Sequence, residues 1–581
     1  MHFINIHKSM EEILTKRMIS YSDVFNTEPA DNTLNKLLTQ IPTFSAIEFV
    51  SLLYFKKTQM LIGQQEYELF MPLIFKIDKE LQDTIMSYLQ RINIGEYIFL
   101  DKKALLILMD NLLAHNNNGV NDLTKKQFSK LMIGYLICCN KRINLQTSNL
   151  LEIKDTDSAI RILLPEQLKV DEIEFPKDYR VEFMKFYMFV KFCINSDKYK
   201  NYLEVFLDEY NINSWGSYLF FVFDLYLGMV TYQDGGVNKI IDLNQIEYKV
   251  NYLKLMSIDV DNYISSTDFK SIREKPILSL GNNQYVVMVI SFFIDKMFQS
   301  FIFDLSHVLE KRHIIKNYNS LKSEIGYHFT EHNLFYQIME GCFKKSHSVL
   351  LSGNDLKIKL VDGEPDYYMR KLNKIFLFEF KDVMLDANTK HSGDFDKIEK
   401  EILELFEWST IEKRTHTLKK KPIPKGITQL LNTIEKKVHV ILSEIDNFDI
   451  SIKPIYVFPV IVYQDCSFDI EGINYILNNK FQEALSIRQV SSNYIVKEVV
   501  MISLNSLIQL EDFFSSGKLH LGTIINDFIA YRNTCENNKM LPFNKFLMRK
   551  AQRKGYKNLK TIRFQSYIDT LILNEKEANN K

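Results

Sequence analysis

Ile375-Phe376-Leu377-Phe378 is an unbroken apolar run that ends in charge, with Glu379 and Lys381 on either side of Phe380. A run of this kind predicts a strand covered on both faces. Upstream, Tyr367-Tyr368-Met369 followed by the polar stretch Arg370-Lys371-Leu372-Asn373-Lys374 predicts a second strand and a tight turn. Period 2 places Ile375, Leu377, Glu379 and Lys381 on one face of the later strand, and Phe376, Phe378 and Phe380 on the other.

The rest of the chain sorts by the same patterning. Residues 10–150 read as helices, broken at His115-Asn116-Asn117-Asn118-Gly119, with Thr124 placed to cap a helix from Lys125 to about Asn140. Residues 154–176 read as a connector, and helical, aromatic-rich periodicity resumes over 179–195 and 201–232 as core packing. A β-hairpin is expected near 276–289, around Gly281-Asn282-Asn283, and then one long amphipathic helix over 291–316. A helix over 320–343, strand material at 348–351 and 357–361 around a turn at Ser352-Gly353-Asn354-Asp355, a helix over 426–440 and a strand over 453–463 surround the hairpin. Beyond 465 a helix over 473–486, a strand over 495–504 and a helix over 507–514 are expected. The boundaries that result are a helical module at 1–153, a second helical region at 154–316, an α/β domain at 317–470 and a C-terminal extension at 471–581.

With 581 residues the chain is too long for one core. Its 72 basic and 72 acidic side chains cancel, so any nucleic-acid surface must come from local clustering. Six cysteines without CxxC spacing argue against a zinc site or a disulfide framework and favour a reducing cytoplasm. The N-terminus lacks a basic start followed by an apolar core, and 215–232, interrupted by Asp224, reads as a buried helix; no signal peptide and no membrane span are expected.

Charge at the end of a buried strand is costly unless it meets a partner or a metal. Asp366, on the neighbouring arm, is placed to join Glu379 and Lys381, so two carboxylates and an ammonium converge. Two acidic oxygens with water suit Mg²⁺, and water activated beside a lysine can attack a phosphodiester. The plain alternative is a structural hairpin whose Glu379 and Lys381 pair with each other or reach solvent.

Pro365-Asp366, twelve intervening residues, and Glu379-Phe380-Lys381 resemble the motif of the PD-(D/E)XK nuclease superfamily. The resemblance implies a multidomain protein whose mostly α-helical N-terminal half precedes a restriction-endonuclease-like αβββαβ core, a mixed sheet flanked by helices. It implies Mg²⁺ (or Mn²⁺) held by Asp366, Glu379 and the Phe380 carbonyl, with Lys381 acting on the attacking water. It also implies a helix glutamate, chosen as Glu331 over Glu324, which seven-residue spacing puts on the same face. Lys425 and Gln429 share a face of the following helix and are candidates for a place near the phosphate.

The resemblance makes the expected function metal-dependent cleavage of DNA, in bacterial defence or restriction by analogy. Two-strand cutting would favour a dimer, and the N-terminal half would serve a protein partner. A non-catalytic module retaining the fold, binding nucleic acid or protein, is the alternative reading. Two basic stretches suit a phosphate backbone: an insertion at 399–424 with Lys413, Arg414, His416, Lys419, Lys420 and Lys421, and a tail at 539–563 with Lys545, Arg549, Lys550, Arg553, Lys554, Lys557 and Lys560. Phe543, Phe546, Tyr556 and Phe564 interleave the tail.

Overall fold

The computed structural model describes residues 17–58, 64–117, 122–144, 153–169, 177–231, 241–242, 252–266, 268–281, 284–346, 349–358, 363–410, 422–557 and 560–579. The chain is mostly helical, with a mixed sheet in its C-terminal half. It divides into two compact units, one of residues 1–147, 173–183 and 200–312, the other of 148–172, 184–199 and 313–581.

The first unit is built from helices whose ends follow local chemistry. Asp101 caps Lys102–Ala114 by accepting the Ala104 amide at 2.7 Å. Thr124 and Gln127 exchange hydrogen bonds, Thr124 N–H to Gln127 Oε1 at 2.9 Å and Gln127 N–H to Thr124 Oγ1 at 3.4 Å, at the start of Lys125–Asn144. That cap was readable in the sequence. The expected hairpin forms from Ile277–Gly281 and Gln284–Val287, paired antiparallel; Asn282 and Asn283 lie outside the described residues. The long helix expected over 291–316 is instead two, Ile290–Asp295 and Gln299–Lys311. Residues 290–294 and 296–298 are all buried, and a straight helix with one face in water cannot bury every side in succession, so the chain turns between them. Helix Trp215–Thr231 occupies the most apolar stretch, and among the described residues no helix is long and apolar enough to cross a membrane.

The second unit opens with a helical run of three parts: α1 (Tyr318–Ile325), α2 (Gly326–Phe335), which is π-helical, and α3 (Tyr336–Phe343). Then come β1 (Val349–Ser352), α4 (Gly353–Lys357), β2 (Tyr367–Lys371) and β3 (Lys374–Lys381). Next are α5 (Phe395–Phe406), α6 (Gly426–Lys436) and β4 (Ile455–Tyr463). The unit continues with α7 (Ile473–Ser486), β5 (Tyr494–Val496), β6 (Val500–Ser503), α8 (Leu504–Ser515) and α9 (Phe543–Arg553). The sheet order is β5-β4-β3-β2-β1, with β6 also paired to β4. β1, β2 and β3 are antiparallel neighbours, whereas β4 runs parallel to β3, β5 and β6. The strand expected at 495–504 is thus two short ones, both on β4.

β3 is covered on both faces, as its apolar run predicts: Ile375, Phe376, Leu377 and Phe378 are all buried. Each such side chain contributes roughly 1.5–3 kcal/mol of burial. Phe376 stacks on Phe458 of β4 at 4.7 Å between ring centroids, and Phe380 on Phe335 of α2 at 4.9 Å.

Two expectations around the hairpin are corrected. Gly353–Lys357 is a short helix, not a turn leading to a strand at 357–361, because Ser352 and Asp355 form a capping box with Ser352 N–H to Asp355 Oδ2 at 2.8 Å and Asp355 N–H to Ser352 Oγ at 3.2 Å. Residues 359–362 lie outside the described residues. Glu324 and Glu331 do not share a face. The intervening π turns take roughly one residue more than an α turn, which rotates Glu331 away from the heptad position.

Candidate active site

The hairpin register pairs Tyr367 with Phe378. Continued by one residue, it sets Asp366 opposite Glu379, on the same face of the sheet. Asp366 is fixed there by a hydrogen bond from the Phe380 backbone N–H to its Oδ2, 2.7 Å long. Lys381, two residues beyond Glu379 and so on its face, donates from Nζ to Glu379 Oε2 at 3.0 Å. The other oxygen of Glu379, Oε1, is buried and has no hydrogen-bond partner among the described residues. The structure therefore brings Asp366, Glu379 and Lys381 together.

Glu331, on α2, joins them electrostatically. Burial and then the charge of Asp366 push its carboxyl up to about 7, while Lys381 and Lys357 pull the other way. Glu324 is engaged elsewhere, in an ion pair with Lys198 at 2.6 Å. Glu379 is fully buried, and burial followed by the Asp366 charge drives its carboxyl well above the ordinary range against the pull of Lys381. Burial alone would lower the Lys381 ammonium, but Glu379 and Asp366 outweigh it and hold it above its usual value. Burial is the larger cause for both glutamates, and the Asp366 charge adds to it, while the same carboxylates hold the Lys381 ammonium up against burial.

Two glycines allow this closeness. A Cβ on Gly353 would stand 3.0 Å from the Tyr336 hydroxyl and 3.2 Å from the Asp366 carbonyl, to which Gly353 N–H already donates at 2.8 Å. Gly426 sits at φ +28°, and a Cβ there would meet the Phe406 carbonyl oxygen at 2.5 Å, so only glycine lets α6 start against α5. That start places Lys425, whose ammonium is lowered by burial and then by the nearby charge of Lys381. Gln429, one turn on, has a buried Oε1 with no partner among the described residues.

Divalent-cation fit rests on two of these observations, the Glu379 Oε1 that is unpartnered among the described residues and the convergence of Asp366 on it. Among the described residues no group of three or more His, Cys, Asp and Glu side chains is arranged to hold a metal. An ion here would draw on two carboxylates and on main-chain, solvent or substrate oxygens, a set that suits Mg²⁺.

The basic stretches fare unevenly. Residues 411–421, with Lys419 and Lys420, lie outside the described residues, while 399–406 continue α5 and Trp408–Thr410 pairs with Pro422–Pro424. In α9, Lys545 pairs with Glu471 at 2.9 Å and Lys550 with Asp527 at 2.7 Å. Arg549 is half-buried and Arg553 and Lys554 are exposed, and none of the three is ion-paired among the described residues. Phe543, Phe546 and Tyr556 are buried and pack inward, so they are core and not a stacking surface.

Comparison with protein-family models, curated proteins and solved structures finds no match to this chain.

Proposed function

We propose that the protein is a metal-dependent nuclease of the PD-(D/E)XK type that hydrolyses phosphodiester bonds in DNA. The observation that carries this reading is the convergence of Asp366, Glu379 and Lys381 at the end of a buried strand, with a carboxylate oxygen left unpartnered. The order helix, β1, β2, β3, helix, β4, with β4 parallel to β3, supports it.

Asp366 and Glu379, with the Phe380 carbonyl, would hold Mg²⁺ or Mn²⁺. Such an ion supplies charge neutralisation and a water of lowered pKa. Lys381 orients the attacking water and offsets the charge that develops on the phosphate. Glu331, with its carboxyl near neutrality, can accept or return a proton beside that water. Lys425 holds the substrate phosphate, Gln429 offers its free oxygen on the same helix face, and Arg549, Arg553 and Lys554 draw the backbone to the unit.

Purified protein incubated with plasmid, linear DNA and RNA, with Mg²⁺ or with EDTA, tests the reading. Cleavage of DNA in Mg²⁺ that EDTA abolishes is the expected outcome. Intact substrates throughout would refute nuclease activity and leave the retained fold as a binding module.

A further inference from the structure

We infer that Tyr327 and His332 form a stacking platform for an unpaired base of the substrate strand, at the mouth of the carboxylate site; this rests on the nuclease reading and narrows its substrate to strands with a base out of the stack. The platform is a product of the π-helical turn. Residues five apart lie on different sides of an α-helix, but the i to i+5 bonding of α2 brings them over one another. The Tyr327 and His332 rings are 4.3 Å apart between centroids, and His332 Nδ1–H donates to the Tyr327 carbonyl at 2.7 Å. A carbonyl only accepts, so Nδ1 carries a proton in this contact.

The ladder leads inward from there. His332 lies 5.4 Å from Tyr336, and Tyr336 lies 5.8 Å from Tyr367 at the start of β2. Tyr336 is also close enough to Asp366 and Glu331 for their charges, after burial, to raise its hydroxyl. The outer rung is open: Tyr327 is 48 % exposed. A long π-helical stretch is uncommon and recurs at functional sites, and here it sets Glu331 in sequence between Tyr327 and His332, whose rings meet at a 51° tilt so that His332 backs the Tyr327 ring.

The occupant is argued from chemistry at both ends of the ladder. Its inner end is the proposed phosphodiester site, and near Glu331 stands the exposed Lys357, whose charge acts on that carboxyl and which makes no ion pair among the described residues. Aromatic faces beside free cations are how proteins take single strands, with bases on the rings and phosphates on the ammonium groups. A fully paired duplex keeps its bases in the stack and offers the rings nothing but its ends.

The test measures binding of a fluorescent single strand of about fifteen nucleotides, and of the same sequence as a closed duplex, in EDTA so that nothing is cut. Tyr327→Ala should weaken single-strand binding about tenfold or more, the share of one stacked base, with the duplex little changed. Tyr327→Trp should bind the single strand at least as tightly as wild type. Because Tyr327 is half exposed, the variants should melt as wild type does. Equal single-strand affinity in Tyr327→Ala, equal losses on both substrates, or no single-strand binding by wild type would each overturn the platform. Tyr327-dependent binding without cleavage in Mg²⁺ would sustain the platform and sink the nuclease reading; cleavage with no Tyr327 effect would do the reverse.

Discussion

Asp366→Asn should change the sign of its effect on stability with pH. The substitution keeps an oxygen for the Phe380 N–H but removes the charge, and weakening a charge-assisted hydrogen bond costs about 1 kcal/mol. Against this stands relief of crowding. Glu331 is raised from 4.5 to about 7 by burial and Asp366, and Glu379 is raised well above 4.5 by the same two causes. A carboxyl raised in the folded state contributes stability that is fully present below its unfolded value and is lost as pH rises through its folded one. Wild type without metal therefore loses stability as pH rises from about 4.5 through about 7 for Glu331, and Glu379, also raised, adds a loss of the same sign. The rise of Glu331 corresponds to roughly 3 kcal/mol, which screening at a side chain 27 % exposed reduces to about 1–2 kcal/mol, and Asp366 supplies only part of it. From Glu331 alone the swing on removing Asp366 is about 1 kcal/mol between pH 5 and 8, and Glu379 adds to it in the same direction. Asp366→Asn should then be less stable than wild type at pH 5 by about 1 kcal/mol, and equal or more stable at pH 8. Thermal melts in EDTA across this range, at constant ionic strength, read the crossover as a few degrees. Mg²⁺ at pH 8 should raise the melting temperature of wild type and leave the variant unmoved. Parallel pH curves with a constant offset would refute the electrostatic coupling of Asp366 to Glu331 and Glu379.

Lys381→Ala should cut the cleavage rate about 10²–10⁴-fold while Mg²⁺ affinity by calorimetry holds or rises, because the site becomes more negative; an unchanged rate in a folded variant would reduce Lys381 to a partner of Glu379. Replacing Arg549, Arg553 and Lys554 together by Ala should weaken DNA binding and flatten its salt dependence, and an unchanged salt slope would place the DNA elsewhere. Truncation of the tail is the wrong perturbation for that purpose, since Phe543, Phe546, Leu547 and Tyr556 are buried and their loss would unfold the unit.

What was legible in the sequence was what local physics decides. The apolar run from Ile375 to Phe378 is a buried strand, and the charges that close it lie on one face beside Asp366, because a period of 2 leaves no freedom once the turn is set. The Thr124 cap and the helix Ile473–Ser486 followed from the same kind of signal. The capping box Ser352-Gly353-Asn354-Asp355 is equally local, because a Ser and an Asp three apart start a helix as readily as they make the expected turn. The π-helical register of α2 was not readable, since no residue type demands an i to i+5 turn; Phe335 stacked on Phe380 is the tertiary contact that accompanies it. Heptad counting consequently put Glu324 and Glu331 together. Nor does charge counting reveal pairing across the fold, such as Lys545 with Glu471 and Lys550 with Asp527, which leaves the basic tail less free than its composition implies.

On the proposed function Glu379 is held buried, with one oxygen unpartnered among the described residues, to serve a cation and a phosphodiester. Single-turnover cleavage of DNA in Mg²⁺ by wild type and by Glu379→Gln, the neutral isostere, tests it most directly, with melting temperatures taken on the same preparations. The Glu379→Gln protein should fold, be as stable in EDTA as wild type or more so, and cleave at least about 10²-fold more slowly. A folded Glu379→Gln protein that cleaves at the wild-type rate would contradict it.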